Sequence, residues 1–345
     1  MNRIAYNTSL QIPRVTVVIP TLGRDSALWL CIRSLMAQTI RDMEIVIVDN
    51  SGNREVARAK PAEVHVKILE LPVNLGFGGA INAGFETSAA EYLATMNDDA
   101  VASPQWLENL LLAMDQDAQL GSCASSVRLA ETGTLDSAGM LIARDGSSKQ
   151  RGHGQPAEAF SESSEALLPS GSAAIYRRKM IEETGGFDSD FFLYCEDTDL
   201  GLRACWSGWK CRYVPDAIVE HRYSQSAGRA SALKAYLVER NRLRVIVKNF
   251  PLMELLLAPM ATLVRFCWHA ADIRSGTGKA REFAAAHSGF QLAWLALKAH
   301  FALLPALPKL LKQRNEIRRQ ARISPSEFRQ LLRRHAISVR QVAAL

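Results

Sequence analysis

Arg14-Val15-Thr16-Val17-Val18-Ile19-Pro20-Thr21 is an apolar, β-branched run stopped by proline, and Glu44-Ile45-Val46-Ile47-Val48-Asp49-Asn50-Ser51-Gly52 repeats that plan. Unbroken rather than alternating hydrophobicity predicts strands buried on both faces, as in a parallel sheet. Between them, Leu28, Ile32, Leu35 and Met36 fall at helical spacing, with Asp25 and Ser26 placed to cap the start. This makes a βαβ unit. Val64 to Leu71 predicts a third strand, Asn82 to Ala90 a helix, and Tyr92-Leu93-Ala94-Thr95-Met96 a fourth strand running into Asn97-Asp98-Asp99. The first hundred residues therefore predict an open, Rossmann-like, doubly wound α/β sheet, mostly parallel. Ligands bind such sheets outside the carboxyl ends of the strands, where Asp49, Asn50 and Asn97-Asp98-Asp99 fall.

The stretch from Glu131 to Ser164 is rich in Gly, Ser and charge and predicts a long irregular connection containing a hairpin. Order resumes near Leu167. After about Pro251 the pattern turns to Leu, Ala and Arg at helical spacing, no longer alternating with strands, which puts a boundary between 1–250 and a helical region, 251–345. Leu252 to Val264 is apolar but holds Glu254 and Pro259, and Phe290 to Leu310 is broken by Lys298, His300, Pro305 and Pro308. Neither reaches the roughly 20 apolar residues of a membrane span. They predict helices that either lie in a membrane interface or pack on the preceding domain.

With 48% hydrophobic and 22% charged residues in 345, the chain has the composition of a folded enzyme. Its six cysteines show no C-x-x-C spacing, which argues against a zinc site or a disulfide framework and fits a reducing cytoplasm. Met1 to Thr8 is polar where a secretory signal needs its apolar core, so a cytoplasmic protein is expected. The net charge of +6 is concentrated beyond Lys309, where ten Lys and Arg face only Glu316 and Glu327, leaving 31 basic and 33 acidic residues elsewhere. A near-neutral body argues against nucleic acid. The basic end is either a solvated helical face or an attachment to anionic phospholipid on the inner membrane face.

Candidate chemistry falls in four places. Asp98 and Asp99 end a predicted strand and either cap a helix starting near Ser103-Pro104 or hold a divalent cation, Mg²⁺ or Mn²⁺, against a diphosphate. Asn74-Leu75-Gly76-Phe77-Gly78-Gly79-Ala80-Ile81-Asn82-Ala83-Gly84 fails the dinucleotide spacing at Ile81, leaving a tight glycine-lined turn before a helix, structural or ligand-facing. Glu196, Asp197 and Asp199 sit in the first turn of a predicted helix after Phe191-Phe192-Leu193-Tyr194-Cys195. They are either helix-start acidity or include a general base. His221 follows a short strand, and Arg240, Arg242 and Arg244 lie on an amphipathic helix; these are structural and solvated, or a metal ligand and a diphosphate partner.

Taken in this order from about Val15 to Pro251, these segments resemble the family 2 glycosyltransferases of the GT-A fold, especially the rhamnosyltransferase-like branch that builds bacterial surface polysaccharide. The resemblance implies a nucleotide-sugar half at about 14–100, an acceptor half at about 101–250 and a helical appendage. It assigns Pro20, Thr21, Asp49, Asn74, Gly76, Phe77, Asn82 and Asp98 to the nucleotide, and Asp99 and His221 to the metal. Arg240 goes to the diphosphate, Gly171, Glu196 and Asp199 to the acceptor, and Asp197 becomes the catalytic base. Asn97 stands where the family's D-x-D motif has its first Asp, so metal affinity rests mainly on Asp99 and His221. The implied reaction inverts the anomeric carbon of a nucleoside-diphosphate sugar as a hydroxyl of a glycan or lipid-linked glycan attacks; dTDP-rhamnose is favoured, with UDP-sugars behind it. The competing readings are a catalytically silent nucleotide-binding subunit that recruits partners to the membrane, and an enzyme that makes nucleotide-sugars. Retention of all the acids opposes the first, and the first strand–helix turn, only Thr21-Leu22-Gly23-Arg24, opposes the second.

Overall fold

β1 (Val15–Thr21) is buried at all seven positions, as an apolar run without alternation must be when both faces of its sheet are covered. The computed structural model describes residues 12–23, 27–62, 64, 66–222, 231–275 and 288–344, so the capping expected of Asp25 and Ser26 lies outside the described residues. α1 (Ala27–Met36) buries Leu28, Cys31, Ile32 and Leu35 and leads to β2 (Met43–Asp49), parallel to β1. α2 (Glu55–Ala59) and β3 (Lys67–Glu70) follow, the strand shorter at both ends than its apolar run.

α3 (Gly76–Glu86) starts six residues before the expected helix, so the glycine-rich segment is its first turns and not a turn ahead of it. Gly76 enters at φ +74, and a Cβ on Gly84 would stand 2.4 Å from Val18 Cγ1. The glycines let α3 lie directly on β1 and β2. β4 (Tyr92–Met96) then pairs in parallel with β1. Asp98 and Asp99 do not cap a helix: β5 (Ala100–Ala102) follows them, and α4 (Trp106–Gln116) begins only later.

β6 (Leu120–Leu129) opens a second half whose connection is well ordered: β7 (Leu135–Ser137) pairs with β6, β8 (Met140–Ile142) and β9 (Ser148–Gln150) form the expected hairpin, and β10 (Ser164–Ala166) returns to the sheet. β11 (Ala173–Arg177), α5 (Arg178–Thr184), α6 (Glu196–Trp206), β12 (Lys210–His221) and α7 (Ala232–Asn249) complete it. The strands run β10-β12-β6-β11-β4-β1-β2-β3, with β5 and β7 on β12 and β6. Only β11 interrupts the parallel core of β12, β6, β4, β1, β2 and β3. Consequently β1, β2, β4 and β12 all end at the same edge. α1 and α4 cover one face around Trp106 and Leu110, and α3, α5 and α6 the other around Phe85, Phe187 and Leu200.

α8 (Leu252–Ser275), α9 (Gly289–Phe301), α10 (Leu307–Gln320), α11 (Pro325–Arg334) and α12 (Val339–Ala344) follow. They share a core with the sheet domain: Leu202 and Trp206 of α6, Val245 and Phe250 and Phe328 of α11 form one cluster. Phe328 is fully buried and stacked on Trp206 with ring centroids 4.0 Å apart. The basic residues of this end are largely engaged within the protein. Arg314 and Arg318 donate to carbonyls at the end of α7, while Lys309, Arg322, Arg329 and Arg334 pair with Asp190, Glu183, Glu254 and Glu165. Cations at a helix C-terminus also complement its dipole. Among the described residues no helix is long and apolar enough to cross a membrane.

Candidate active site

The shared strand edge gathers the first group of candidates. Thr21 Oγ1 donates to Asp98 Oδ2 at 2.6 Å and accepts from the Gly23 amide. Because β12 runs antiparallel to β5, His221 lies opposite Ala100, and its Nε2 comes 3.1 Å from Asp99 Oδ1. His221 Nδ1 is held by Asp136 Oδ2 at 3.0 Å, and Asp136 Oδ1 meets His153 Nδ1 at 3.1 Å. Burial pulls the His221 pKa down, but hydrogen bonds to Asp136 and Asp99 and their charges override it and raise it to about 10. An imidazole whose far nitrogen is fixed by a carboxylate is the usual orientation of a metal ligand. Among the described residues no group of three or more His, Cys, Asp or Glu is placed to hold a metal ion; Asp99 and His221 offer two donors, and a hard divalent ion can fill the rest of its shell from water and phosphate.

The second group is α6 and the segment before it. Phe192, Tyr194 and Cys195 all take left-handed φ, at 64, 70 and 66°. Each such non-glycine residue costs on the order of 1–3 kcal/mol. Buried Asn241 holds them there, its Nδ2 within 2.9, 2.8 and 2.7 Å of the carbonyls of Phe191, Leu193 and Tyr194. The Phe77 amide adds a bond to Phe192 O, and a Cβ on Gly76 would clash with that carbonyl at 2.0 Å.

Asp197 emerges from this segment half-buried, with Oδ1 accepting from the Thr198 amide at 2.6 Å and Oδ2 from the Gly171 amide at 3.1 Å. The next residue, Ser172, accepts from the Asn97 amide at 2.8 Å. The dipeptide Gly171-Ser172 thus ties the Asp197 carboxylate to the strand end that bears Asp98 and Asp99. A Cβ on Gly171 would press on the Phe77 ring at 3.2 Å, so glycine keeps this junction tight. Burial raises the Asp197 pKa against the hydrogen bonds from Gly171 and Thr198. Neighbouring Glu196 is buried with Oε2 unpartnered, and burial, then the charge of Asp197, pushes it to about 8. Near neutral pH Glu196 holds a proton, and Asp197, which accepts from two backbone amides, is the acid placed for general-base work.

Four expected site residues are engaged in the architecture. Asp199 is fully buried against Arg203 Nε, Lys248 Nζ and Asn249 Nδ2, at 2.8, 2.9 and 2.9 Å, and fastens α6 to α7, so it cannot reach an acceptor. Asp49 is also buried, its oxygens taken by the Ser51 amide and hydroxyl and the Val56 amide. Asn82 pairs with both backbone groups of Phe187. Arg240 donates to the carbonyls of Asp190 and Phe191. Asn74 shares its Oδ1 between Asn50 Nδ2 and the Gly76 amide, which shapes the entry to α3. Pro20 lies in β1 opposite Val48. The residues that sequence reasoning missed are Asp136, His153 and Asn241; nothing in the chain pattern marks the first two, and Asn241 sits unremarked between Arg240 and Arg242.

Residues 16–185 match the family model described as glycosyl transferase family 2. The chain carries a domain of that family. This glycosyltransferase is 29% identical over 230 residues to the N-acetylglucosaminyl-diphospho-decaprenol L-rhamnosyltransferase of Mycobacterium tuberculosis, an alignment covering 59% of this chain and 75% of the relative. It is 28% identical to the glycosyltransferase YwdF of Bacillus subtilis, over 64% of this chain and 78% of that one. Among solved structures it resembles GalNAc-T7 with UDP, GalNAc and Mn²⁺ at TM-score 0.56 and 16% identity, over 70% of this chain and about half, 49%, of that protein. S. aureus TarS 1-349 matches at TM-score 0.52 and 14% identity, over 92% and 91% of the two chains. The fold is GT-A, and the family is the rhamnosyltransferase-like one expected from the motifs.

Proposed function

We propose that this glycosyltransferase moves a sugar, with inversion, from a nucleoside diphosphate to a hydroxyl of a lipid-linked glycan during cell-surface polysaccharide synthesis. The observation that carries the reading is the Gly171-Ser172 bridge, which sets Asp197 beside the Asp98-Asp99 strand end. Asp197 takes the proton of the acceptor hydroxyl, whose oxygen bonds to the anomeric carbon as the bond to the diphosphate breaks and its electron pair leaves with phosphate. Thr21, Gly76, Phe77 and Asp98 line the donor side, and Gly171 and Glu196 the acceptor side. Asp99 and His221 would hold Mg²⁺ or Mn²⁺, which when bound neutralises charge growing on the leaving diphosphate. Arg240, engaged with backbone carbonyls, steadies the segment before the acids instead of meeting the diphosphate. The Mycobacterium tuberculosis relative's name supports L-rhamnose as the sugar and a diphospho-polyprenol as the acceptor's carrier.

The test is nucleotide binding and turnover by purified protein with Mn²⁺ and a panel of dTDP- and UDP-sugars. Wild type releases nucleoside diphosphate when given acceptor, while Asp197→Asn keeps donor binding and loses roughly 10²–10⁴-fold in kcat, the scale of general-base catalysis. Full activity in that variant removes Asp197 from the mechanism. Nucleotide binding without turnover in wild type favours the silent subunit.

A further inference from the structure

α8 is amphipathic in the reverse sense to an ordinary surface helix. Its inward side carries the polar groups: Arg265 is buried and donates to Asp145 Oδ2 at 2.6 Å and Glu239 Oε2 at 2.7 Å, and Glu254 pairs with Arg329. Its outward side carries none. Every exposed position from Leu252 to Ala271 is uncharged, and Leu252, Leu256, Met260 and Leu263 are each more than half exposed. Twenty residues at 1.5 Å make a stripe about 30 Å long. Soluble proteins rarely leave such a surface to water unless something covers it.

α9, which packs along α7, repeats the arrangement. Phe290, Trp294, Leu297 and Phe301 are exposed, Phe290 at 83%, and the helix contains no acidic residue. Lys298 stands exposed among these side chains, and exposed Arg274 closes the α8 stripe. Apart from half-buried Asp272 beside Arg274, the charges bordering these apolar, partly aromatic stripes are cations, which is the chemistry of helices that lie in the interfacial region of an anionic bilayer. A second copy joined through this face about a two-fold axis would set cationic border against cationic border.

We propose that the outward faces of α8 and α9 form a docking surface for an anionic phospholipid bilayer, entered by their apolar side chains without spanning it. Lys298 and Arg274 meet the headgroups. The basic residues beyond Lys309 contribute little, since most are engaged within the protein. The surface stands independently of the reaction proposed above and needs no turnover to detect, though a lipid-linked acceptor gives it a purpose.

The experiment is co-sedimentation of the full chain with vesicles of phosphatidylcholine, with and without roughly one third phosphatidylglycerol. Wild type pellets with the anionic vesicles, less with neutral ones and less at high salt. Leu256→Glu with Met260→Glu lowers the bound-to-free ratio at least about tenfold while nucleotide binding and the thermal melt stay unchanged. Trp294→Ser repeats the test on the other helix, should the paired substitution impair folding. The proposal is overturned if wild type stays in the supernatant, or if the variants pellet as it does. A lipid-free dimer in sedimentation velocity that Leu256→Glu with Met260→Glu dissociates overturns it too, assigning the face to a second copy.

Discussion

Replacing Asn241 by alanine tests whether the strained segment before α6 sets the position of Asp197. The side chain donates toward three carbonyls, but Phe191 O keeps Arg240 Nη2 at 2.8 Å, so Leu193 O and Tyr194 O are the ones left without it. An acceptor stranded in the interior costs about 1–3 kcal/mol, and a part-buried one that water reaches falls at the low end, giving roughly 2–3 kcal/mol for the two. Against this, Phe192, Tyr194 and Cys195 recover part of their strain, about 1 kcal/mol or more, by leaving left-handed backbone. The net loss of roughly 1–2 kcal/mol lowers Tm by about 2–6 °C, near the scale of larger domains. Turnover suffers more. Once the segment relaxes, the start of α6 shifts, and a misplacement of about 1 Å at a reacting group costs on the order of 10²-fold. Thr21, Asp98, Asp99 and His221 are carried by the ends of β1, β4 and β12, while Phe77 meets the segment through its backbone amide, so nucleotide affinity falls less than turnover. Calorimetry, steady-state turnover and nucleotide titration of Asn241→Ala together check this. Wild-type kcat at a lowered Tm would refute the link between segment and acid, and a matching fall in nucleotide affinity would show general damage instead.

Two further outcomes follow from the site. Glu196 keeps its proton to about 8 in the folded protein against an ordinary 4.5, so the fold binds a proton that the unfolded chain has released. Its contribution to stability is therefore full below about pH 4.5 and is lost as pH rises toward 8; Glu196→Gln flattens that fall in urea midpoints, and equal slopes in both proteins would contradict the assignment. Asp136→Asn, which weakens the fixed orientation of His221, lowers Mn²⁺ affinity about 10–100-fold, read by electron paramagnetic resonance of the bound ion; unchanged affinity would remove Asp136 from the site.

Much of the nucleotide-side architecture was legible because β1, β2 and β4 are unbroken apolar runs, as strands of a parallel sheet covered on both faces must be. What stayed hidden depends on partners distant in sequence. Asp199 and Asp49 look functional as carboxylates, yet Arg203 and Lys248 neutralise one and the Ser51–Val56 turn absorbs the other. Asp136 is one acid in a Gly- and Ser-rich stretch until β7 pairs with β6 and delivers it to His221. The apolar stretch from Leu252 shows that a helix has a greasy side. Only the buried carboxylates of Asp145 and Glu239 reveal that this side faces outward.

The stack of Phe328 on Trp206 has a consequence in time. The helix that begins with Glu196 and Asp197 cannot close its back until a ring about 120 residues further along the chain arrives. At roughly 5–20 residues per second of synthesis, the acids spend on the order of 6–25 seconds on a half-built support. Until then the helix that bears Asp197 lacks its backing, and a chain truncated before Phe328 is predicted to lose more turnover than donor binding.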